Sequence, residues 1–213
     1  MKPAQWYFDF ISPYAYLQAQ RLQKLREYCE LEPRPVLLAA LLSHWGQLGP
    51  AEIAPKREFT YKQVRWLARR QGVALEIPEA HPFNPLKLLR LAIHLGSSDE
   101  VVRRLFEFVW RDGHIPENEA AWRALTTELG VVNADEAIAR DEIKRALRAN
   151  TEAAIDAGVF GVPTIAIDGQ LFWGNDATDM ARDYLGDPGS FLADAALIAR
   201  LPMAAQRRTP PVR

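Results

Sequence analysis

The first apolar run is Trp6-Tyr7-Phe8-Asp9-Phe10-Ile11, aromatic and β-rich, and it predicts a short buried strand. Ser12-Pro13 follows it, pairing a favoured helix N-cap with a favoured first helical residue. The spacing predicts a helix from Pro13 to about Glu30, with Ala15, Leu22, Leu25 and Cys29 on one stripe and Gln18 interrupting it. Pro33 and Pro35 punctuate the chain, and Val36 to Leu42 reads as a second apolar strand. Strand, helix and strand in that order predict a βαβ unit with a parallel pair.

From Ser43 to Asp156 the pattern turns helical, with polar loops between the periodic stretches. His44 to Pro55 is a Gly- and Pro-rich loop, and Lys56 to Gln71 is a basic helix closed by Gly72. A second loop, His81 to Pro85, precedes a helix over Leu86–Leu95. Val102, Leu105, Phe106 and Val109 form an i, i+3, i+4, i+7 stripe. Further helices are expected over Glu117–Leu129 and within Asp135–Asp156, the latter with Ile143, Leu147, Asn150 and Ala154 on one face. Strand character returns at Thr164–Ile167, turns at Asp168-Gly169 and resumes at Gln170–Trp173, a hairpin. Helices near Asp176–Tyr184 and Pro188–Leu201 close the pattern, and the Pro- and Arg-rich end reads as a disordered tail. The ends therefore make one α/β layer, residues 1–42 and 157–201, around an all-helical insertion, 43–156, with a flexible tail over 202–213.

Composition narrows the function classes. A chain of 213 residues with 48% hydrophobic and 25% charged positions has material for a core without staples. A net charge of −1 argues against a general nucleic-acid binder. The single cysteine, Cys29, excludes an internal disulfide and a CxxC redox pair, suits a reducing compartment, and is expected to pack at the end of the first helix. No stretch has the length to span a bilayer and no secretory leader opens the chain, so the expectation is cytoplasmic, with no membrane partner. His44, His81, His94 and His114 are scattered without ligand spacing, and no metal site is expected. Trp45, Trp66 and Trp110 read as core or interface, and Lys56, Arg57, Lys62, Arg65, Arg69 and Arg70 as a solvated helix face.

Three segments carry candidate chemistry. Ser12 stands where a strand meets a helix start, a place that stabilises anions, thiolates included, and its hydroxyl can donate to a bound sulfur. Taken alone, the spacing favours a plain cap. Val162-Pro163 precedes a strand; a cis bond there would leave the Val162 backbone free to pair with an extended ligand, although base rates favour trans. Asn175 or Asp176 would cap the last hairpin's helix, and an Asp there could also hold a ligand ammonium.

Phe8-Asp9-Phe10-Ile11-Ser12-Pro13-Tyr14-Ala15-Tyr16-Leu17, Gly158-Val159-Phe160-Gly161-Val162-Pro163-Thr164 and Phe172-Trp173-Gly174-Asn175-Asp176, in this order, resemble the motifs of the 2-hydroxychromene-2-carboxylate isomerases. That family is related to the kappa-class glutathione transferases and to the disulfide oxidoreductase DsbA. The resemblance implies a thioredoxin-like fold with an inserted all-helical domain, glutathione as cofactor, and a homodimer. It implies Ser12 on the glutathione sulfur, a cis Pro163, Val162 pairing with the cysteinyl backbone, and Asn175 and Asp176 at the γ-glutamyl end. The implied reaction interconverts 2-hydroxychromene-2-carboxylate and trans-o-hydroxybenzylidenepyruvate by reversible thiolate addition to an aromatic small-molecule substrate. Asn84 fits a family position on the substrate side, and an Asx-turn before Pro85 explains it equally well. Gln47 stands where the family has Asn; the family's lysine has no clear counterpart, and Lys56 and Arg57 follow shortly. A kappa-type transferase and a non-catalytic thioredoxin-fold binding protein are the competing readings.

Overall fold

Four strands and eleven α-helices make up residues 1–202, the part of the chain that the computed structural model describes. Of the tail expected over 202–213, everything from Met203 on lies outside the described residues. Strand β1 (Lys2–Phe8) is flanked by β2 (Cys29–Pro35) in parallel and by β3 (Thr164–Ile167) antiparallel, and β4 (Gln170–Trp173) continues from β3 as a hairpin. The order β2-β1-β3-β4 puts β1 inside the sheet and β2 at its edge. The edge position explains Pro33 and Pro35, which face Trp6 and Phe8 in register: a proline without an N–H is tolerated where no second neighbour needs one.

The expected parallel pair is present, but its second strand is displaced. Val36 to Leu42 is not a strand; it passes from the end of β2 into helix α3 (Leu38–His44). Short apolar runs fit either state, and here the helix start is captured by side chains: Leu37 N–H donates to the Thr151 hydroxyl and Leu38 N–H to the Asp9 carboxylate. The first helix is also shorter than its pattern. It runs as α1 (Pro13–Ala19) and a single turn α2 (Leu22–Leu25), because Cys29 and Leu31 alternate into the sheet opposite Lys2 and Ala4. Cys29 is buried at the start of β2, where burial raises its thiol pKa and makes it a poor nucleophile.

Between β2 and β3 the chain continues with α4 (Ala54–Gln71), α5 (Leu86–His94), α6 (Asp99–Trp110), α7 (Glu119–Glu128), α8 (Ala134–Ala139) and α9 (Asp141–Asp156). Gly72 ends α4 in the left-handed region (φ +66°), where a side chain would be strained. The α6 stripe of Val102, Leu105, Phe106 and Val109 is buried throughout. Phe106 meets Trp6, Phe8, Phe10 and Tyr16 in an aromatic cluster, and the Trp110 indole N–H donates to Phe10 O at 2.8 Å. The helices thus share a core with the sheet. Helices α10 (Ala177–Gly186) and α11 (Pro188–Ile198) follow the hairpin. Among the described residues no helix is long and apolar enough to cross a membrane.

Candidate functional site

Strand β1 ends at Phe8, and the chain turns sharply through Asp9–Ile11 rather than continuing as the expected strand. Asp9 makes the turn. Its carbonyl accepts from Ser12 N–H, and its fully buried carboxyl accepts from Ile11 N–H at 3.1 Å and Leu38 N–H at 2.9 Å. Burial pushes the Asp9 pKa up to about 7, against the pull of these amides. Ser12 caps α1 by accepting from Ala15 N–H at 3.3 Å, and its own O–H has no partner among the described residues. Two residues on, Tyr14 donates to Gln63 Oε1 of α4 at 2.6 Å, and burial raises its phenol pKa.

Sheet register brings the other two segments to the same end. Tyr7 pairs with Thr164, and Thr164 with Trp173, so the residues just before β3 and just after β4 lie beside the end of β1. The Val162–Pro163 bond is cis, and Val162 has neither its N–H nor its carbonyl engaged among the described residues. Pro163 O accepts from Gly174 N–H at 2.9 Å, which ties this segment to the next. Gly174 sits at φ +102°, and a Cβ there would lie 2.5 Å from the Asp176 carboxylate. The Asp176 side chain is exposed and makes no cap bond to α10. Asn175 is 6% exposed, and its Oδ1 is a buried acceptor without a partner. Trp173, 54% exposed, packs edge-on to Phe160 at 5.1 Å and stands over Gly161, where a Cβ would come within 2.8 Å of its indole nitrogen. Ser12, Val162, Pro163, Asn175 and Asp176 are therefore gathered at one end of the sheet.

Gln47 and Asn84 lie on loops and are both exposed. The Gln47 loop is fastened by its neighbour Trp45, whose indole donates to Val159 O at 3.0 Å. Asn84 Oδ1 accepts from Leu86 N–H, the Asx geometry that the sequence left open. Trp110 is fully buried, whereas Trp45 and Trp66 are about half exposed. An open depression of about 580 Å³ lies elsewhere, lined by Lys87, Trp122, Arg123 and Asp135, and includes none of these residues. Among the described residues no group of His, Cys, Asp and Glu could hold a metal ion.

Sequence reasoning missed several supporting residues. Gln18 is 0% exposed; it accepts from the Trp6 indole at 2.7 Å and donates to Gly174 O at 2.8 Å and to the Thr178 hydroxyl at 3.0 Å. Its interruption of an apolar stripe was the available signal. Arg21 Nη1 donates to Asn175 O while its other arm pairs with Asp179, so the 174–176 turn is gripped from both sides. His81 Nε2 lies 2.8 Å from Ile11 O, a contact that nothing in the local sequence marks.

A sheet of this order with a cis proline facing a helix start defines a thioredoxin-like protein. The family model for the DSBA-like thioredoxin domain matches residues 5–186, and the chain belongs to that family. It is 30% identical over 194 residues to a 2-hydroxychromene-2-carboxylate isomerase of Sphingobium xenophagum, covering 87% of this chain and 99% of the relative. A kappa 2 glutathione S-transferase of Caenorhabditis elegans is 25% identical, covering 88% and 93% of the two chains. Among solved structures, a 2-hydroxychromene-2-carboxylate isomerase superposes with a TM-score of 0.75 at 26% identity, over 90% of this chain and 98% of that one.

Proposed function

We propose that the protein is a glutathione-dependent isomerase that interconverts 2-hydroxychromene-2-carboxylate and trans-o-hydroxybenzylidenepyruvate, or a related intermediate of aromatic degradation. One observation carries the reading: Ser12 O–H, the Val162 backbone and the buried Asn175 Oδ1 are polar groups without partners among the described residues, at one end of one sheet. A buried acceptor without a partner is costly, and a ligand N–H would satisfy it. These groups fit glutathione, a peptide with one thiol, a free amide backbone and an amino-acid end.

In this reading the unit formed by residues 1–42 and 157–201 holds the cofactor, and the helical block 43–156 holds the substrate. Bound glutathione supplies a thiolate that can add to an electron-poor double bond and leave again. Ser12 donates its free O–H to the sulfur and holds it as the thiolate. Val162 pairs through both backbone groups with the cysteinyl unit, and its conformation is fixed by Pro163. Asn175 and the exposed Asp176 carboxylate take the γ-glutamyl ammonium end. Gln47 and Asn84 face the aromatic substrate. The protein acts in the cytosol, as a homodimer.

The test is calorimetric titration of glutathione, with Asp176→Ala beside the wild type. Binding that weakens about tenfold in the variant, as loss of a charged hydrogen-bond partner predicts, supports the site. No binding at millimolar glutathione removes the reading in favour of a non-catalytic binding protein. A kappa-type transferase is the second reading, favoured by the kappa-class relatives; a stable conjugate of 1-chloro-2,4-dinitrobenzene without isomerase turnover would select it.

A further inference from the structure

The substrate in this reading is an acid, and its carboxylate needs a cation. Of the arginines near the sheet end, Arg21 is neutralised by Asp179 and Arg34 by Glu32. Arg57, in the first turn of α4, is different: its contacts are His81 O (2.9 Å from Nη2), the Tyr61 hydroxyl (3.3 Å from Nε) and the Tyr61 ring, and none is a carboxylate. It is an exposed guanidinium that is held in place but, among the described residues, not neutralised.

What holds it leads back to Ser12. Ile11 O can only accept, so the His81 Nε2 that lies 2.8 Å from it carries the proton. Nδ1 is then the acceptor of the Tyr61 O–H, at 2.8 Å. The Tyr61 oxygen in turn accepts from Arg57 Nε–H. Burial lowers the His81 pKa, which keeps the ring neutral in this tautomer, and the nearby Arg57 charge acts in the same sense. The ring is wedged by Trp110 and Phe83 at 5.3 and 6.2 Å. A continuous chain, Arg57–Tyr61–His81–Ile11, thus ends on the peptide that joins Ile11 to Ser12. Two of the five guanidinium N–H groups are engaged in it, and both on Nη1 have no partner among the described residues.

We infer that Arg57 is the residue that receives the carboxylate of an unsaturated aromatic acid, with Tyr61 and His81 as positioning residues that set its distance from Ser12. A planar guanidinium with a free edge matches a planar carboxylate, and a rigid base makes that match selective. The inference rests on the isomerase reading for its substrate class. The consequence is discrimination of acids from their neutral esters.

The test uses trans-2-hydroxycinnamate and its methyl ester as probes, titrated calorimetrically into wild type, Arg57→Gln, Arg57→Lys and Tyr61→Phe, with and without glutathione. The expected result is that Arg57→Gln weakens the acid about tenfold or more, as loss of a charged pair predicts, while the ester and glutathione bind as before. Lysine should restore part of the loss, and rising salt should weaken the acid but not the ester. Tyr61→Phe should raise KM for the acid substrate while leaving kcat and the ester unchanged. Equal acid binding in wild type and Arg57→Gln, or no preference of the wild type for acid over ester, overturns the inference. Loss of acid binding in Arg57→Gln, in a protein with no isomerase turnover, upholds the carboxylate site and sinks the reaction instead.

Discussion

Around Ser12 and Asn175 the site is made of polar groups that the fold buries, and each is tied to a neighbouring element: Asp9 to α3, Gln18 to β1 and α10, Gly174 to Pro163. By contrast, Gln47, Asn84 and Arg57 sit on loops and the first turn of a helix, and all three are exposed. Buried, mutually bonded groups cannot be exchanged without stability loss of a few kcal/mol, whereas exposed side chains change at almost none. The proposed cofactor side, the exposed Asp176 apart, is thus constrained by folding itself. The proposed substrate side is free to alter its chemistry, and Gln47, which stands where the resemblance leads to an Asn, lies there.

That contrast can be broken at four points. Ser12→Ala should lower isomerase turnover about a hundredfold, the usual loss for one donor to a developing anion, and cost about 1 kcal/mol of stability through the lost cap. Unchanged turnover, measured alongside urea unfolding, would remove Ser12 from the chemistry. Gln18→Ala should cost about 2–3 kcal/mol in urea unfolding, because the Trp6 indole and Gly174 carbonyl lose buried partners, and should weaken glutathione binding by loosening the 174–176 turn. A stable variant with unaltered binding would show that the turn holds without it.

Asp9 sharpens the comparison through pH. Its folded pKa is raised from 3.8 to about 7, so over that window the folded state keeps a proton that the unfolded chain releases. Stability from this group should fall as pH rises from about 4 to about 7, at up to about 1.4 kcal/mol per pH unit, and level off above. Asp9→Asn should flatten that slope in urea midpoints taken across the range; an unchanged slope would assign it to other groups. The smallest effect is expected at Gln47→Ala, on the exposed side, with glutathione affinity unchanged and KM for the acid altered by about threefold or less. A loss of stability there would erase the distinction between the two sides.

The first strand, the helical block and the hairpin were legible because period-two and period-3.6 patterns survive in long or well-punctuated stretches such as α6 and Thr164–Trp173. Val36–Leu42 was not, because seven apolar residues fit strand and helix alike, and the decision came from Asp9 and Thr151, distant in sequence, accepting the amides at the start of α3. Cys29 likewise matched the helical stripe until pairing with β1 drew it into β2. The sequence by itself determined which residues could serve as caps, turns and apolar faces, since those properties belong to single side chains and their near neighbours. Tertiary structure decided which of them meet. The Gln18–Gly174 and His81–Ile11 contacts join segments far apart along the chain, and their register is set by strand pairing and shared burial, which no local pattern encodes.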